Sequence, residues 1–283
     1  MTSSRSIRLY DQHVHSCHSI DSDSAPEENV DAALERGLAG LTFTEHFDTH
    51  PDEWDNCVYD DAAYSDSIAR LRDRFGQRIF IGKGIEVCYQ PDNMGFILDF
   101  LARHEFDVVL LSVHWASGRQ IGTWDHWTGL DAFTGTRIYL ETVLQAVRHC
   151  RDLRERHSRR CFDVLGHLDL VKRYTNRFFG QLCVDQQQSL IDRILRACTE
   201  ADLVPEVNTS TLRQGLAEPM PGPGTIRRYA ALGGTALSIG SDAHLAGSVG
   251  AGFDETIKTF REAGITHLAI FEKRQPRLIP LDG

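Results

Sequence analysis

The chain is predicted to fold as an α/β protein on parallel strands, an open sheet or a (β/α) barrel. Three observations carry this expectation. Short Val-, Ile- and Leu-rich runs alternate with amphipathic helical patterns about seven times along 283 residues. Such continuously apolar runs suit strands buried on both faces. No linker, low-complexity tract or charge run divides the chain, so one domain over residues 1–283 is expected.

The elements follow in order. SIRLYDQHVH (6–15) reads as the first strand, and PEENVDAALERG as a helix with Pro26 and two acids near its start and Gly37 at its end. LAGLTFTEH closes the second strand at residue 46. A helix is expected over 66–76, a strand over 78–87 and a helix over 94–104. A strand over 106–115 precedes a long helix over 139–157. Strands at 161–170, 203–210 and 235–244 alternate with helices at 189–201 and 224–234, and HLAIFEKRQPRLIPL carries a further strand. The polar, aromatic-bearing loops at 47–65 and 116–136 are candidate lids or substrate walls.

Composition narrows the function. The net charge of -10 disfavours long nucleic acid, whose phosphates need Lys and Arg to neutralise them. Seven cysteines, an odd number with no CxxC spacing, argue against a disulfide framework or a zinc knuckle and suit a reducing cytoplasm. MTSSRSIRLY lacks an apolar signal core and no apolar run reaches roughly eighteen residues, so neither signal peptide nor membrane span is expected.

The chemistry gathers at strand ends. In order these are His13 and His15, Glu45 and His46, Glu86, His114, His167 and Asp169, Glu206 and Asn208, then Asp242 and His244. A lone strand-end histidine is usually an ordinary loop residue. In a parallel barrel, however, every C-terminal strand end lies on one face, where active sites form. His13 and His15, two apart on a strand, point the same way. Imidazole and carboxylate without thiolate suit Zn, Mn or Fe and disfavour a closed structural zinc site. The candidates exceed what one ion can use, so two or three divalent ions are expected. Clustered ions flank a phosphoryl group, activate water and stabilise the leaving oxygen. Arg213 in TSTLRQG, and Lys172 and Arg173 in LDLVKRY, follow strand ends on the same face and are candidate phosphate ligands.

The segments HVHS, TEH, SVH with GHLD, and SDAH, with IEV and EVNTS in the gaps, resemble the PHP (polymerase and histidinol phosphatase) superfamily over nearly the whole chain. GHLDLVKRY and EVNTSTLR most resemble its monofunctional histidinol-phosphatase branch. The resemblance implies a distorted (β/α)7 TIM-like barrel with a trinuclear metal site at the C-terminal strand ends. By the same resemblance, His13, His15, Glu86 and Asp242 would hold one ion. Glu86 would bridge to a second, held with His114 and His167, while Asp21, His46 and His244 would hold the third. The family form HxHSxxSxD places its aspartate on Asp21, and His18 falls where a ligand is unusual. Asp242 would orient the attacking water and take its proton, and His244 would assist the leaving alkoxide. TLRQG departs from the branch's more usual GLRK.

The remaining conspicuous residues have plainer readings. Glu45 would face away from the site, and Asp169 would either support His167 or cap the next segment. Trp124, His126 and Trp127 would wall an aromatic substrate or only pack. The expected activity is metal-dependent hydrolysis of a small phosphate monoester, with L-histidinol phosphate favoured by resemblance. A PHP-type phosphodiesterase or nucleotide phosphatase is the alternative within the chemistry. A non-catalytic, metal-stabilised binding module is the alternative outside it.

Overall fold

Seven parallel strands form the wall of a barrel: β1 (Tyr10–Val14), β2 (Gly40–Phe47), β3 (Phe80–Cys88), β4 (Val108–Ser112), β7 (Val164–Leu165), β8 (Val204–Asn208) and β9 (Ala236–Gly240). Between β4 and β7 lies a small hairpin of β5 (Trp115–Ala116) and β6 (Arg119–Gln120). The structure, a computed structural model, describes residues 7–53 and 59–281. Residues 54–58 of the expected first loop, Cys57 among them, lie outside the described residues.

The wall closes where β1 meets the segment after β9. Asp242 N donates to His13 O at 2.8 Å and His15 N to Ala243 O at 2.9 Å. The expected parallel α/β barrel is therefore what the chain forms. β10 (His267–Glu272) pairs with β9 only at its first two residues and with antiparallel β11 (Gln275–Pro280) throughout. It then crosses the N-terminal mouth of the barrel, where Phe271 N donates to Gln12 Oε1 at 3.0 Å and Lys273 N to Asp107 Oδ1 at 2.9 Å. Ala269 and Phe271 pack there on Val108, Leu110 and Val164, making an apolar floor.

Helices cover the wall: α1 (Pro26–Glu35), α2 (Asp61–Phe75), α3 (Met94–Arg103), α4 (Trp124–Trp127), α5 (Ala132–His157), α6 (Val171–Phe179), α7 (Gln188–Ala201), α8 (Ser210–Arg213), α9 (Pro223–Ala231) and α10 (Phe253–Ala263). One core joins β3, β4 and β7 to α3, α5 and α7, with Ile97, Val109, Leu140 and Ile194 at its centre. A second joins β1, β2 and β9 to α1, α2 and α10 through Val14, Val30, Leu71, Ile239 and Phe260. Each such fully buried side chain contributes roughly 1.5–3 kcal/mol from removal of apolar surface from water.

Three boundaries differ most from the sequence expectation, and caps explain two. α2 begins five residues early because Asp60 accepts from Ala62 N and Ala63 N, satisfying orphan donors of the first turn. α5 starts at Ala132 because Asp131 accepts from Thr134 N at 2.6 Å. Much of the supposed 116–136 loop is therefore ordered as hairpin, α4 and the start of α5. Trp127 packs so close to Gly135 that a Cβ there would collide with the indole. The third difference is that the 161–170 strand shortens to Val164–Leu165 and α6 follows directly. No helix among the described residues is long and apolar enough to cross a membrane.

Candidate metal centre

β1 does not run evenly against β2. Its register slips between Asp11 and Val14, a β-bulge at the edge of the cavity. Bulges of this kind re-aim side chains beside active sites. Here His13 and His15 both enter the barrel, fully buried, with their Nε2 atoms 3.1 Å apart. Across β2 and β3 the register sets His46 beside Glu86 and, on the opposite face, Glu45 beside Ile85.

Glu86 is the hub. Its Oε2 stands 3.4 Å from His13 Nε2, 3.5 Å from His15 Nε2 and 2.9 Å from His46 Nδ1. Its Oε1 stands 2.8 Å from His167 Nε2 and 3.4 Å from His114 Nε2, and accepts from Ser112 Oγ at 2.6 Å. Asp242 Oδ1 lies 3.5 Å from both His15 Nε2 and His244 Nδ1 and 3.8 Å from His13 Nε2. Asp21 Oδ2 completes the ring, 3.1 Å from His244 Nε2 and 3.4 Å from His46 Nε2. All nine candidate ligands converge, from residue 13 to residue 244. His18 does not join them; its ring packs on Tyr64 with centroids 5.4 Å apart.

The donor set fits metal ions. Glu86 Oε2 and His167 Nδ1 are buried without a hydrogen-bond partner, although imidazoles surround the carboxylate. Unpartnered buried polar atoms are costly unless something else satisfies them. Three of the groupings able to hold an ion lie wholly within the cage: His15, His46 and His244; His13, His15 and Asp242; and His13, Glu86 and His167; a fourth joins His114 to Asp48 and Cys88.

Charge in this cage is tightly coupled. Burial opposes a charge on His13, but Glu206 and Glu86 override it and raise its pKa well above the ordinary value. Burial likewise opposes a charge on His46, and Glu86 and Asp21 raise it. His15 goes the other way, down to about 3, because burial is joined by repulsion from His46 and His244. Burial alone would raise Glu86, yet the surrounding His13, His46 and His114 hold it well below the carboxylate range. Asp242 is held low in the same way by His15, His13, His244 and Arg173.

A second layer orients the cage. Glu206 Oε1 lies 2.7 Å from His13 Nδ1, and its Oε2 accepts from His167 N at 2.9 Å. Ser19 Oγ lies 3.1 Å from His15 Nδ1 and donates to Glu45 Oε2 at 2.5 Å. Partners on the outer imidazole nitrogen fix tautomer and ring orientation. Glu206 belongs to the series of strand-end acids, and nothing in its spacing separates it from a ligand. Glu45 faces away from the site, as expected, and accepts from Ser16 N and Ser16 Oγ as well.

The three cationic candidates part company. Arg173 reaches the cage: it donates to Ser210 Oγ at 2.6 Å and Asp242 Oδ2 at 3.3 Å and lines the cavity above. Arg213 instead donates to Ser241 O at 2.8 Å and Asp242 O at 3.3 Å, clamping the turn in which Asp242 takes a φ of 52°. The phosphate-site expectation for Lys172 is corrected. Its Nζ is buried on Asp169, Glu218 and the Pro219 carbonyl because α6, unforeseen from sequence, turns it into the core. Asp169 thus serves Lys172 rather than His167.

The cage opens into a cavity of about 410 Å³. Its outer lining includes Asp48, Glu53 and Gln120 from the loop after β2 and the hairpin, and Arg173, Tyr174 and Arg177 from α6. Arg177 escaped sequence analysis because it is recognisable only as the i+4 neighbour of Arg173 on a helix. The tryptophan segment does not line the cavity. Trp127 is buried with Nε1 on Ile121 O, and Trp124 packs on Phe178 and Phe179.

The family model described as PHP domain matches residues 11–210. A probable histidinol-phosphatase of Deinococcus radiodurans is 31% identical over 261 residues, covering 90% of this chain and 94% of its own. One of Clostridium acetobutylicum is 27% identical over 269 residues, covering 94% and 98%. The crystal structure of histidinol phosphate phosphatase from Lactococcus lactis, complexed with zinc, L-histidinol and phosphate, superposes with a TM-score of 0.86. It is 24% identical, and the match covers 96% of this chain and all of that one, a likeness of fold.

Proposed function

The chain belongs to the PHP domain family, and from that premise we propose that it is a metal-dependent phosphomonoesterase hydrolysing L-histidinol phosphate to L-histidinol and phosphate. The observation that carries this reading is the convergence of nine His, Asp and Glu side chains, with Glu86 at their hub, beneath a cavity whose wall carries Arg173. The names of the relatives supply the substrate.

Three groups of ligands divide the cage. His13, His15, Glu86 and Asp242 would hold one ion. Glu86, His114 and His167 would hold a second, and Asp21, His46 and His244 a third. Zn, Mn and Fe all suit these donors. Divalent ions bound there would lower the pKa of water toward neutrality and offset charge building on the phosphoryl oxygens.

The chain's own residues do the rest. Arg173 meets the phosphoryl group, since its guanidinium is already aimed at Asp242 Oδ2 across the cavity floor. Asp242 stays anionic and accepts the proton of the attacking water. Arg173 donates to Ser210 Oγ at 2.6 Å as well as to Asp242 Oδ2 at 3.3 Å, which steadies the guanidinium against the carboxylate. His244, its Nε2 on Asp21, stands by for the leaving alkoxide. The six described cysteines are free thiols, which supports a cytoplasmic setting.

The test is phosphate release from L-histidinol phosphate with added Mn or Zn, beside a panel of other esters. Strong preference for histidinol phosphate is expected. Turnover of only diesters or nucleotides would move the reading to the phosphodiesterase alternative. Silence with metals bound would leave a binding module.

A further inference from the structure

The outer cavity is divided by charge. On the α6 side it carries Arg173 and Arg177, one turn apart on the same helix face. On the other side it carries Glu53, the last described residue before 54–58, and Gln120 of the hairpin. Gln120 Nε2 donates to Glu53 Oε1 at 2.8 Å and so orients the carboxylate. No cation pairs with Glu53 among the described residues. The neighbouring Asp48 is already engaged, accepting from Trp115 Nε1 at 3.2 Å and from His50 N at 2.8 Å. Trp115 in turn stacks on His50 with ring centroids 3.4 Å apart, so this wall is a braced structure rather than a loose acidic loop.

A carboxylate with one oxygen fixed by an amide and no cation beside it, on the wall of a cavity of about 410 Å³, suits a positively charged ligand group. The opposite wall and the cage below suit the anionic end. The cavity has room for one small dipolar molecule, phosphate at one end and ammonium or imidazolium at the other.

Resting on the reading given above, we propose that Glu53 is the specificity-determining residue that selects phosphate monoesters bearing a cationic group, with Gln120 as its positioning residue. A neutral ester of the same size would leave Glu53 without a partner, a loss that binding to the cage does not recover. Sites built around a charged partner discriminate against analogues lacking it through the unpaired group that remains.

The experiment compares kcat/KM of the metal-loaded enzyme for cationic esters (L-histidinol phosphate and ethanolamine phosphate) with that for neutral ones (p-nitrophenyl phosphate and glycerol phosphate). The comparison is repeated for Glu53→Gln, Glu53→Lys and Gln120→Leu. The expected result is a wild-type preference for cationic esters that falls at least about tenfold in Glu53→Gln, mostly through KM, further in Glu53→Lys and less in Gln120→Leu. Thermal melts identify any variant whose fold has changed, and the ratio within each variant cancels a general loss of active protein. A wild type that prefers another cationic ester to histidinol phosphate, with the preference erased by Glu53→Gln, would remove the histidinol assignment and keep this inference. A wild type with no cationic preference, or one whose preference survives both Glu53 variants, overturns it.

Discussion

Glu206 Oε1 stands 2.7 Å from His13 Nδ1, on the side of the ring turned away from the cage. The approach is possible because β9 ends in Gly240, where a Cβ would collide with both Glu206 and His13. The carboxylate fixes His13 with its Nε2 facing Glu86 and Asp242. Glu206→Gln should therefore weaken metal retention by roughly 10–100-fold. Competition with a graded chelator, read by metal content, checks this; retention equal to wild type would leave Glu206 a core hydrogen bond only.

Arg173, Arg213 and Lys172 should separate cleanly by assay. Arg173→Ala is expected to raise KM for the phosphate ester by roughly 1.5–3 kcal/mol of lost charged hydrogen bonding. Arg213→Ala should lower kcat instead, because the αL turn at Asp242 loses the guanidinium holding its carbonyls. Lys172→Met should act on stability, by roughly 3–5 kcal/mol, since it leaves Asp169 buried and unpaired. Steady-state kinetics beside denaturant melts distinguishes the three. A KM effect from Lys172→Met with stability intact would contradict its burial.

Burial lifts the Glu45 carboxyl to about 7, against the hydrogen bonds from Ser16 and Ser19. The folded chain then holds this proton more tightly than the unfolded chain, whose value is near 4.5. The associated stability is fully present below about 4.5 and is lost as the pH rises through about 7, on the order of 3 kcal/mol in all. Glu45→Gln, neutral throughout, should flatten that slope. Denaturant melts of chelator-treated protein from pH 5 to 8 measure it, and parallel curves for wild type and variant would count against the assignment.

Metal uptake should weaken as pH falls. Without metal, the cage carboxylates raise His13 and His46 above their ordinary values, so ligand nitrogens hold protons that an ion must displace. Titrating metal-free protein with Zn or Mn in weakly buffered solution should release protons, more of them at pH 6 than at pH 8. Uptake with no proton release would mean that the imidazoles are already neutral.

Much of the fold and the cage was legible in the sequence. Strand identity followed from continuous apolar runs, because a strand covered on both faces has no polar side to show. Eight of the nine candidate ligands were readable because parallel strands deliver their C-terminal residues to one face, whereas Asp21, seven residues beyond the end of β1, was pointed to only by the family resemblance. Helix starts were misjudged where a polar residue, Asp60 or Asp131, decided the matter by capping rather than by periodicity.

What only the tertiary structure decided was the fate of side chains one residue apart. Lys172 and Arg173 are indistinguishable as charges in sequence. The turn of α6 buries one against Asp169 and Glu218 and sends the other to Asp242. Glu206 and Glu86 are both strand-end glutamates, yet the closeness of Gly240 turns one behind His13 while the other sits among five imidazoles. Spacing along a strand or helix states which face a residue shares. Whether a charge on that face meets a ligand or a buried partner depends on elements distant in sequence, and on the cost of leaving it unpaired once water is gone.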